Sequence, residues 1–209
     1  LFSMGIVVGG GQATLEAALR LAQGVPWIHA GTPSPSAGNG SAMRAGPIGL
    51  MYFDEPESLL RAAHDQSIMT HKDIKCSVGS VAVAGSVAYA LMNNPMDRDD
   101  FVREISQLAG VIDPSAEAVY SSLTDWVELE PIDAIRAIIS SGYAFGDWQD
   151  WQGLTPFVTG TVLWALYSFL HSPENYLRTI STAIEVGGDV DTTAAIAGAI
   201  SGAYLGIGS

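Results

Sequence analysis

Basic residues are scarce in this chain: nine lysines and arginines stand against 22 aspartates and glutamates, giving a formal net charge of −13. An acidic surface of this kind repels a phosphate backbone, so nucleic-acid binding is excluded as a general function. The single cysteine, Cys76, cannot form an internal disulfide or a thiolate metal cluster. This composition suits a reducing compartment, and we expect a cytoplasmic protein.

A secretory leader is not predicted either, because the sequence does not open with a basic segment followed by an apolar run and a small-residue cleavage site. The first residue is Leu1 and not Met, and we expect the chain to be truncated at its N-terminus relative to a longer reading frame. With 209 residues, 48% of them hydrophobic and 15% charged, it is long enough to bury a core. We predict one domain over residues 1–209.

Long apolar runs suited to a membrane are lacking as well. Residues 76–96, 151–173 and 192–209 carry no Asp, Glu, Lys or Arg and approach the length of a spanning helix. They are rich in Ser, Thr, Asn, Ala and Gly, which face lipid poorly. The glycines at 198, 202 and 206 form a stripe that occurs in membrane helix dimers but also lets core helices approach closely. The composition favours the core, so no membrane partner is predicted.

Apolar residues recur at helical spacing along nearly the whole chain, and no alternating strand pattern competes with them. Asp73 is predicted as the N-cap of a long apolar helix that ends at Met92. Residues 24–40 and 142–155 are rich in glycine with proline or tryptophan and are predicted as loops. The sequence thus predicts a single compact all-α domain with helices at residues 13–22, 41–53, 56–69, 73–92, 97–109, 114–126, 131–141, 157–170, 173–185 and 192–205.

The sharpest local pattern is an acidic turn at residues 187–193, Gly-Gly-Asp-Val-Asp-Thr-Thr. The side chains of Asp189, Asp191 and Thr192 offer hard oxygen ligands suited to Mg²⁺, Mn²⁺ or Ca²⁺. They precede an uncharged helix that belongs in the core, where an aspartate is costly unless it is paired or bound to a metal. The alternative is helix capping, with Asp191 or Thr192 as the N-cap and Asp189 near the positive helix end.

A second glycine-rich turn lies at residues 36–47 and includes Gly38, Asn39, Gly40 and Ser41. Backbone N–H groups at a helix start can bind an anion such as a diphosphate, and Ser41 is a candidate cap for the helix that follows. Arg44 lies in an apolar segment and needs a carboxylate or a ligand phosphate as its partner. The alternative is an ordinary turn with a cap. His71, between two helices, is by itself as compatible with capping or packing as with a site.

Taken together and in order, these motifs resemble the signatures of the ADP-ribosylglycohydrolases. Residues 187–204, the acidic turn and the Ala- and Gly-rich helix after it, resemble the C-terminal signature of that family. Residues 38–50, which begin Gly-Asn-Gly-Ser-Ala-Met-Arg, are similar to its second signature, and Thr70-His71 resembles its third. Residues 156–166 also fit, so the resemblance extends over nearly the whole chain.

The resemblance implies an all-α bundle with two Mg²⁺ or Mn²⁺ ions at the base of an ADP-ribose cleft. It implies metal binding by Asp189, Asp191 and Thr192, with the two aspartates also acting on the attacking water as catalytic residues. It implies binding of the diphosphate and ribose by Gly38, Asn39, Gly40 and Ser41, supported by Met43 and Arg44, with His71 nearby. The implied reaction hydrolyses the bond between ribose C1″ and an acceptor, on an ADP-ribosylated protein or a small ADP-ribosyl conjugate.

The family's N-terminal signature, a glycine-rich helix with a Thr-Asp-Asp-Thr metal motif, has no counterpart here. Asp99 and Asp100 do not replace it, since Arg98 precedes them and Phe101 follows. About half of the expected ligands are therefore missing. Besides truncation, two explanations stay open. One is a non-catalytic ADP-ribose-binding or crystallin-like structural relative. The other is a second chain that supplies the missing ligands. The acceptor and the oligomeric state also stay open.

Overall fold

The computed structural model describes residues 11–139 and 153–206, and the structural statements below refer to these residues. No β-strand occurs among them; the loops contain isolated backbone bridges only. The prediction of an all-α fold is therefore confirmed. Of the predicted loop at residues 142–155, residues 142–152 lie outside the described residues. The α-helices of the described ranges are α1 (Gln12–Ala22), α2 (Trp27–Ala30), α3 (Gly46–Met51), α4 (Pro56–Ile68), α5 (Ile74–Met92), α6 (Arg98–Ile112), α7 (Pro114–Ser121), α8 (Leu123–Trp126), α9 (Pro131–Ile138), α10 (Val158–His171), α11 (Tyr176–Glu185) and α12 (Val190–Leu205).

Helix α5 forms the centre of the bundle because small and β-branched side chains cover all of its faces. Fourteen of its 19 residues are buried, and α3, α4, α6, α10 and α12 pack around it. Asp73 begins the helix as predicted, since its carboxylate accepts a hydrogen bond from the Lys75 N–H at 3.0 Å. Of the described helices, α5 alone is long and apolar enough to cross a membrane, and its apolar surface is turned towards its neighbours.

Helix α10 is the second core helix, with 13 of its 14 residues buried. Near its middle, the Trp164 ring stacks on Tyr167 at a centroid distance of 4.9 Å. The Trp164 indole N–H donates to the Ala183 carbonyl of α11 at 3.2 Å, which satisfies its one buried polar group. Helix α12 packs on both α5 and α10, so the acidic turn that precedes α12 is anchored to the two core helices.

Several predicted helix boundaries are wrong for local reasons. The predicted helix at residues 41–53 is a 3₁₀ turn (Asn39–Ser41) followed by the short α3, and the predicted loop at 24–40 contains α2. The helix predicted at 114–126 is divided into α7 and α8 at Ser122. Helix α11 begins three residues later than predicted because the Asn175 side chain caps it, accepting from the Arg178 N–H at 3.0 Å.

Helix α3 is wedged between α5 and α12, and glycines allow this close approach. A Cβ atom placed on Gly49 would lie 2.3 Å from the Ala84 carbonyl oxygen of α5 and 2.8 Å from the Val87 Cβ. A Cβ atom on Gly46 would lie 3.3 Å from the Ala199 Cβ of α12. The wedge holds the segment that follows the glycine-rich turn against α12.

We expect Gly49→Ala to lower the free energy of unfolding by about 1–3 kcal/mol, because the added methyl group meets a backbone carbonyl that cannot move aside. The matched control is Gly202→Ala in α12, where nothing lies within 4 Å of the added atom. This control should be stabilising by about 0.5–1 kcal/mol, since alanine is the better helix former. Urea unfolding followed by circular dichroism measures the stability of both variants. Equal stabilities of Gly49→Ala and Gly202→Ala would contradict the close packing of α3 against α5.

Candidate ligand and metal site

The glycine loop and the acidic turn meet in space, although Asn39 and Asp189 are 150 positions apart. The Asn39 side-chain amide Nδ2 donates to Asp189 Oδ2 at 2.5 Å and to Thr161 Oγ1 of α10 at 2.9 Å. Both hydrogens of the amide are thereby used. Asn39 therefore joins the glycine loop, a core helix and the start of α12.

Two glycines in the left-handed region shape the acidic turn. Gly187 and Gly188 have φ angles of 72° and 82°, which other residues rarely adopt. A Cβ atom on Gly188 would also lie 2.2 Å from the Leu154 carbonyl oxygen. That oxygen accepts a hydrogen bond from the Asp189 N–H at 2.9 Å, so the turn is fixed against residue 154 and directs Asp189 towards Asn39.

The capping alternative is wrong in its choice of the N-cap residue, because Asp191 and Thr192 lie inside α12. Asp189 occupies the N-cap position, near the positive helix end as that alternative expects, but its side chain makes no capping hydrogen bond. Instead, the Thr192 hydroxyl donates to Asp189 Oδ1 at 3.0 Å, and the Thr193 hydroxyl donates to the Asp189 carbonyl at 2.8 Å. The Asp189 carboxylate and the Thr192 hydroxyl therefore present their oxygens at the same place.

The charges at this turn suit a cation. Burial raises the pKa of Asp189 above its usual range, and the nearby Asp191 carboxylate adds to the effect. A hydrogen bond with Asp189 lowers the pKa of Asp191, which is exposed. Two carboxylates and a hydroxyl are the hard oxygen donors that Mg²⁺ and Mn²⁺ prefer, so these residues fit part of a divalent-metal site. No group of three or more Asp, Glu, His or Cys side chains suited to a metal occurs in residues 11–139 and 153–206.

The glycine loop is fixed by backbone hydrogen bonds to the segment before α10. The Asn39 N–H donates to the Pro156 carbonyl at 3.0 Å, and the Val158 N–H donates to the Ala37 carbonyl at 2.9 Å. Ser41 is buried and its hydroxyl donates to the Cys76 carbonyl at 3.3 Å, so the expectation that it caps a helix is wrong. The Ser41 carbonyl accepts from the Gln66 side-chain amide at 3.0 Å, so its hydroxyl and its carbonyl both have partners inside the protein.

Arg44 is partly buried and has neutral partners. Its guanidinium donates to the Gly40 carbonyl at 3.1 Å, to the Gln66 side-chain and backbone oxygens at 2.7 and 2.9 Å, and to the Thr70 hydroxyl at 2.6 Å. Within the described residues it forms no ion pair, so the expected carboxylate partner is not found there. Because a cation in such a place favours a nearby anion, Arg44 supports anion binding on the loop.

His71 also faces the glycine loop. Its Nδ1 lies 2.7 Å from the Thr70 hydroxyl, and Cβ atoms on Gly38 and Gly40 would lie 3.5 and 3.3 Å from its Nε2. Burial, together with the Arg44 charge, lowers the pKa of His71 to about 4, so the ring is neutral at pH 7. The ring edge and the two glycines thus enclose the backbone that a bound anion would contact.

The structure therefore brings the three predicted motifs together. Met43, half-exposed, bridges them, with its sulfur 4.0 Å from the Thr192 hydroxyl. The sequence reasoning missed two residues that hold the site, Thr161 and Gln66, because each binds a partner far along the chain and no local pattern marks it. The result is an all-α protein in which a glycine loop adjoins a turn that carries carboxylate and hydroxyl oxygens.

The chain belongs to the ADP-ribosylglycohydrolase family, since the sequence model of that family matches residues 3–209. An uncharacterized protein of Archaeoglobus fulgidus is 28% identical over 195 residues, which is 92% of this chain and 57% of that protein. ADP-ribosylhydrolase ARH3 of Gallus gallus is 29% identical over 202 residues, covering 82% of this chain and 50% of its own length. The ADP-ribosylhydrolase ARH3 of Xenopus tropicalis is 27% identical over 185 residues, which cover 82% of this chain and 53% of that protein.

A solved structure titled ADP-ribosylglycohydrolase-related protein complex has the same fold, with a TM-score of 0.63 at 26% sequence identity. The match covers 95% of this chain and 60% of that one. The family resemblance drawn from the sequence is thereby confirmed. The chain spans only half to three fifths of the length of these relatives.

We expect His71 to make the protein less stable in mild acid. Its pKa is about 4 in the folded chain against 6.5 for the free group, so the unfolded chain binds more protons between these values. Stability is therefore lost as the pH falls from 6.5 towards 4. Urea unfolding at pH 7 and pH 5 should show wild type losing about 2 kcal/mol more than His71→Gln. Equal losses in the two proteins would contradict the buried neutral ring.

Proposed function

We propose that this chain carries part of the site of a metal-dependent hydrolase that removes ADP-ribose from a modified protein side chain or a small ADP-ribosyl conjugate. Membership of the ADP-ribosylglycohydrolase family supports ADP-ribosyl hydrolysis as the general activity. The observation that carries the proposal is the hydrogen bond between Asn39 and Asp189. It holds an anion-binding loop beside an oxygen-ligand turn, so a diphosphate on the loop would bring its ribose to the turn.

The glycine loop would bind the diphosphate. Gly38 and Gly40 carry no side chains, so phosphate oxygens can approach the backbone closely. Arg44 adds a positive charge immediately behind the loop, because its guanidinium bonds the Gly40 carbonyl at 3.1 Å. His71 adds a neutral ring beside the two glycines. In a chain with a net charge of −13, this local cation is what attracts an anionic ligand.

The acidic turn would act on the ribose. Asp189, Asp191 and Thr192 would hold Mg²⁺ or Mn²⁺, which would supply positive charge for the ribose hydroxyls and the attacking water. The Asn39 amide and the Thr192 hydroxyl orient the Asp189 carboxylate. Asp191 is exposed, and its carboxylate would orient the water or accept its proton. The C1″–acceptor bond breaks, a C1″–O bond to water forms, and the water proton passes to the acceptor.

A second candidate is ADP-ribose binding without hydrolysis, as in a crystallin-like structural relative. One observation favours it: the part of the chain that the structure describes assembles two carboxylates and one hydroxyl but no group of three acidic, histidine or cysteine ligands. A loop that binds a diphosphate does not need a complete metal centre.

Calorimetric titration of ADP-ribose into the chain tests the shared site. We expect binding in Mg²⁺ that weakens by about tenfold or more in EDTA and in Asp191→Asn, because the metal ligands are lost. Asp99→Asn is the matched control, since Asp99 is likewise an exposed acid in the first turn of a long helix. The control should bind as wild type does. Identical binding by wild type and Asp191→Asn in Mg²⁺ would refute the role of the acidic turn.

Release of ADP-ribose from peptides modified on serine or arginine separates the two candidate functions. We expect Mg²⁺-dependent release that Asp189→Asn abolishes, because that change removes a metal ligand and the acceptor of the Asn39 and Thr192 hydrogen bonds. Binding of ADP-ribose with no release from either peptide would instead favour the non-catalytic candidate. Chromatographic detection of free ADP-ribose is sufficient for this measurement.

A further inference from the structure

A chain of hydrogen bonds runs from Arg44 through Thr70 to His71 and ends at the ring edge that faces the glycine loop. Arg44 Nη2 donates to Thr70 Oγ1 at 2.6 Å, and Thr70 Oγ1 lies 2.7 Å from His71 Nδ1. Thr70 and His71 are both buried, which leaves water little access to replace these contacts. The hydroxyl group of Thr70 therefore has one proton and two fixed neighbours.

The donors and acceptors available at each residue determine which atom donates in these two hydrogen bonds. A guanidinium has donors only, so the Thr70 oxygen must accept from Arg44. If His71 Nδ1 carried a proton, Thr70 would accept that proton as well, and its own hydroxyl would have no acceptor among the described residues. A buried hydroxyl donor without an acceptor is energetically unfavourable. Every group is satisfied only when Thr70 donates to a lone pair on Nδ1.

In a neutral imidazole, a lone pair on Nδ1 leaves the proton on Nε2. Nε2 is on the side of the ring that faces the loop, 3.5 Å from a Cβ position on Gly38 and 3.3 Å from one on Gly40. It makes no hydrogen bond within residues 11–139 and 153–206. The donor thus points at the backbone that would carry an anion.

We propose that Thr70 is a positioning residue that fixes His71 in the Nε2–H form, so that the ring offers a neutral hydrogen-bond donor to a phosphate oxygen on the glycine loop. The identity of that ligand rests on the proposed function, whereas the tautomer does not. A neutral donor suits this position because the positive charge of Arg44 would already attract the anion. A second cation so close to Arg44 would be repelled.

Gln66 holds the guanidinium of Arg44, the first residue in this series of hydrogen bonds, in place. Its side-chain oxygen accepts from Arg44 Nε at 2.7 Å, and its carbonyl accepts from Arg44 Nη2 at 2.9 Å. Its side-chain amide donates to the Ser41 carbonyl at 3.0 Å, which ties the same group to the end of the glycine loop. The loop, the guanidinium and the Thr70 hydroxyl therefore keep their relative positions before a ligand arrives.

The test is a two-bond ¹H–¹⁵N correlation spectrum of the chain labelled with [¹⁵N]histidine at pH 7, with His71 assigned from its loss in His71→Gln. We expect the Nε2–H tautomer in wild type and in Thr70→Ser, which keeps the hydroxyl, and a changed tautomer population in Thr70→Val. Thr124→Val is the matched control, because Thr124 is an exposed threonine elsewhere in the bundle. The Nδ1–H form in wild type, or a Thr70→Val spectrum equal to wild type, would overturn the proposal. The wild-type spectrum alone decides the tautomer if Thr70→Val does not fold.

Titration of ADP-ribose into the same samples tests the ligand. We expect a shift of the wild-type Nε2 resonance and affinity about tenfold weaker for Thr70→Val than for Thr70→Ser. Equal affinities of these two variants would overturn the positioning role. An Nε2–H tautomer in a wild-type chain that binds no ADP-ribose would support the hydrogen-bond chain and count against the proposed function, so the two failures are distinguishable.

Discussion

The hydrogen bond from Asn39 to Asp189 is the contact on which the geometry of the site depends. It links a loop that follows α2 to a turn that precedes α12, and its second amide hydrogen bonds Thr161 in the core. A carboxylate in this half-buried position accepts such a bond favourably, because the local dielectric is lower than in water. An aspartate at position 39 would instead place a third negative charge there. The neutral amide is therefore the group that can join the two motifs.

Around this contact the site separates its charges. The carboxylates of Asp189 and Asp191 lie on one side, and Arg44, with neutral partners only among the described residues, lies behind the loop on the other. A ligand that carries phosphates at one end and a metal-bound ribose at the other would match both sides. In the proposed function, this arrangement would let a chain with a net charge of −13 attract an anion to one place.

The helical class and the core helix begun by Asp73 could be predicted, because periodicity and capping are local signals. The proximity of the three motifs was expected only because the family resemblance implies it. The break at residues 42–45 could not be predicted, since it depends on α3 fitting between α5 and α12 through Gly49 and Gly46. Thr161 and Gln66 were missed for a related reason. Their partners are 122 and 25 positions away, and only the fold brings them together.

The residues that orient the candidate groups all belong to the described part of this chain. Asp189 is held by Asn39 and Thr192, and His71 is held by Thr70, which Arg44 in turn holds. The loop and the turn are therefore organised by this chain's own contacts, even though it spans only half to three fifths of the length of its relatives. Preorganised polar groups lose less free energy to ordering when a ligand binds. In the proposed function, binding of the diphosphate and the supply of the remaining metal ligands would thus be separable requirements, and the first would depend on residues that are already in place.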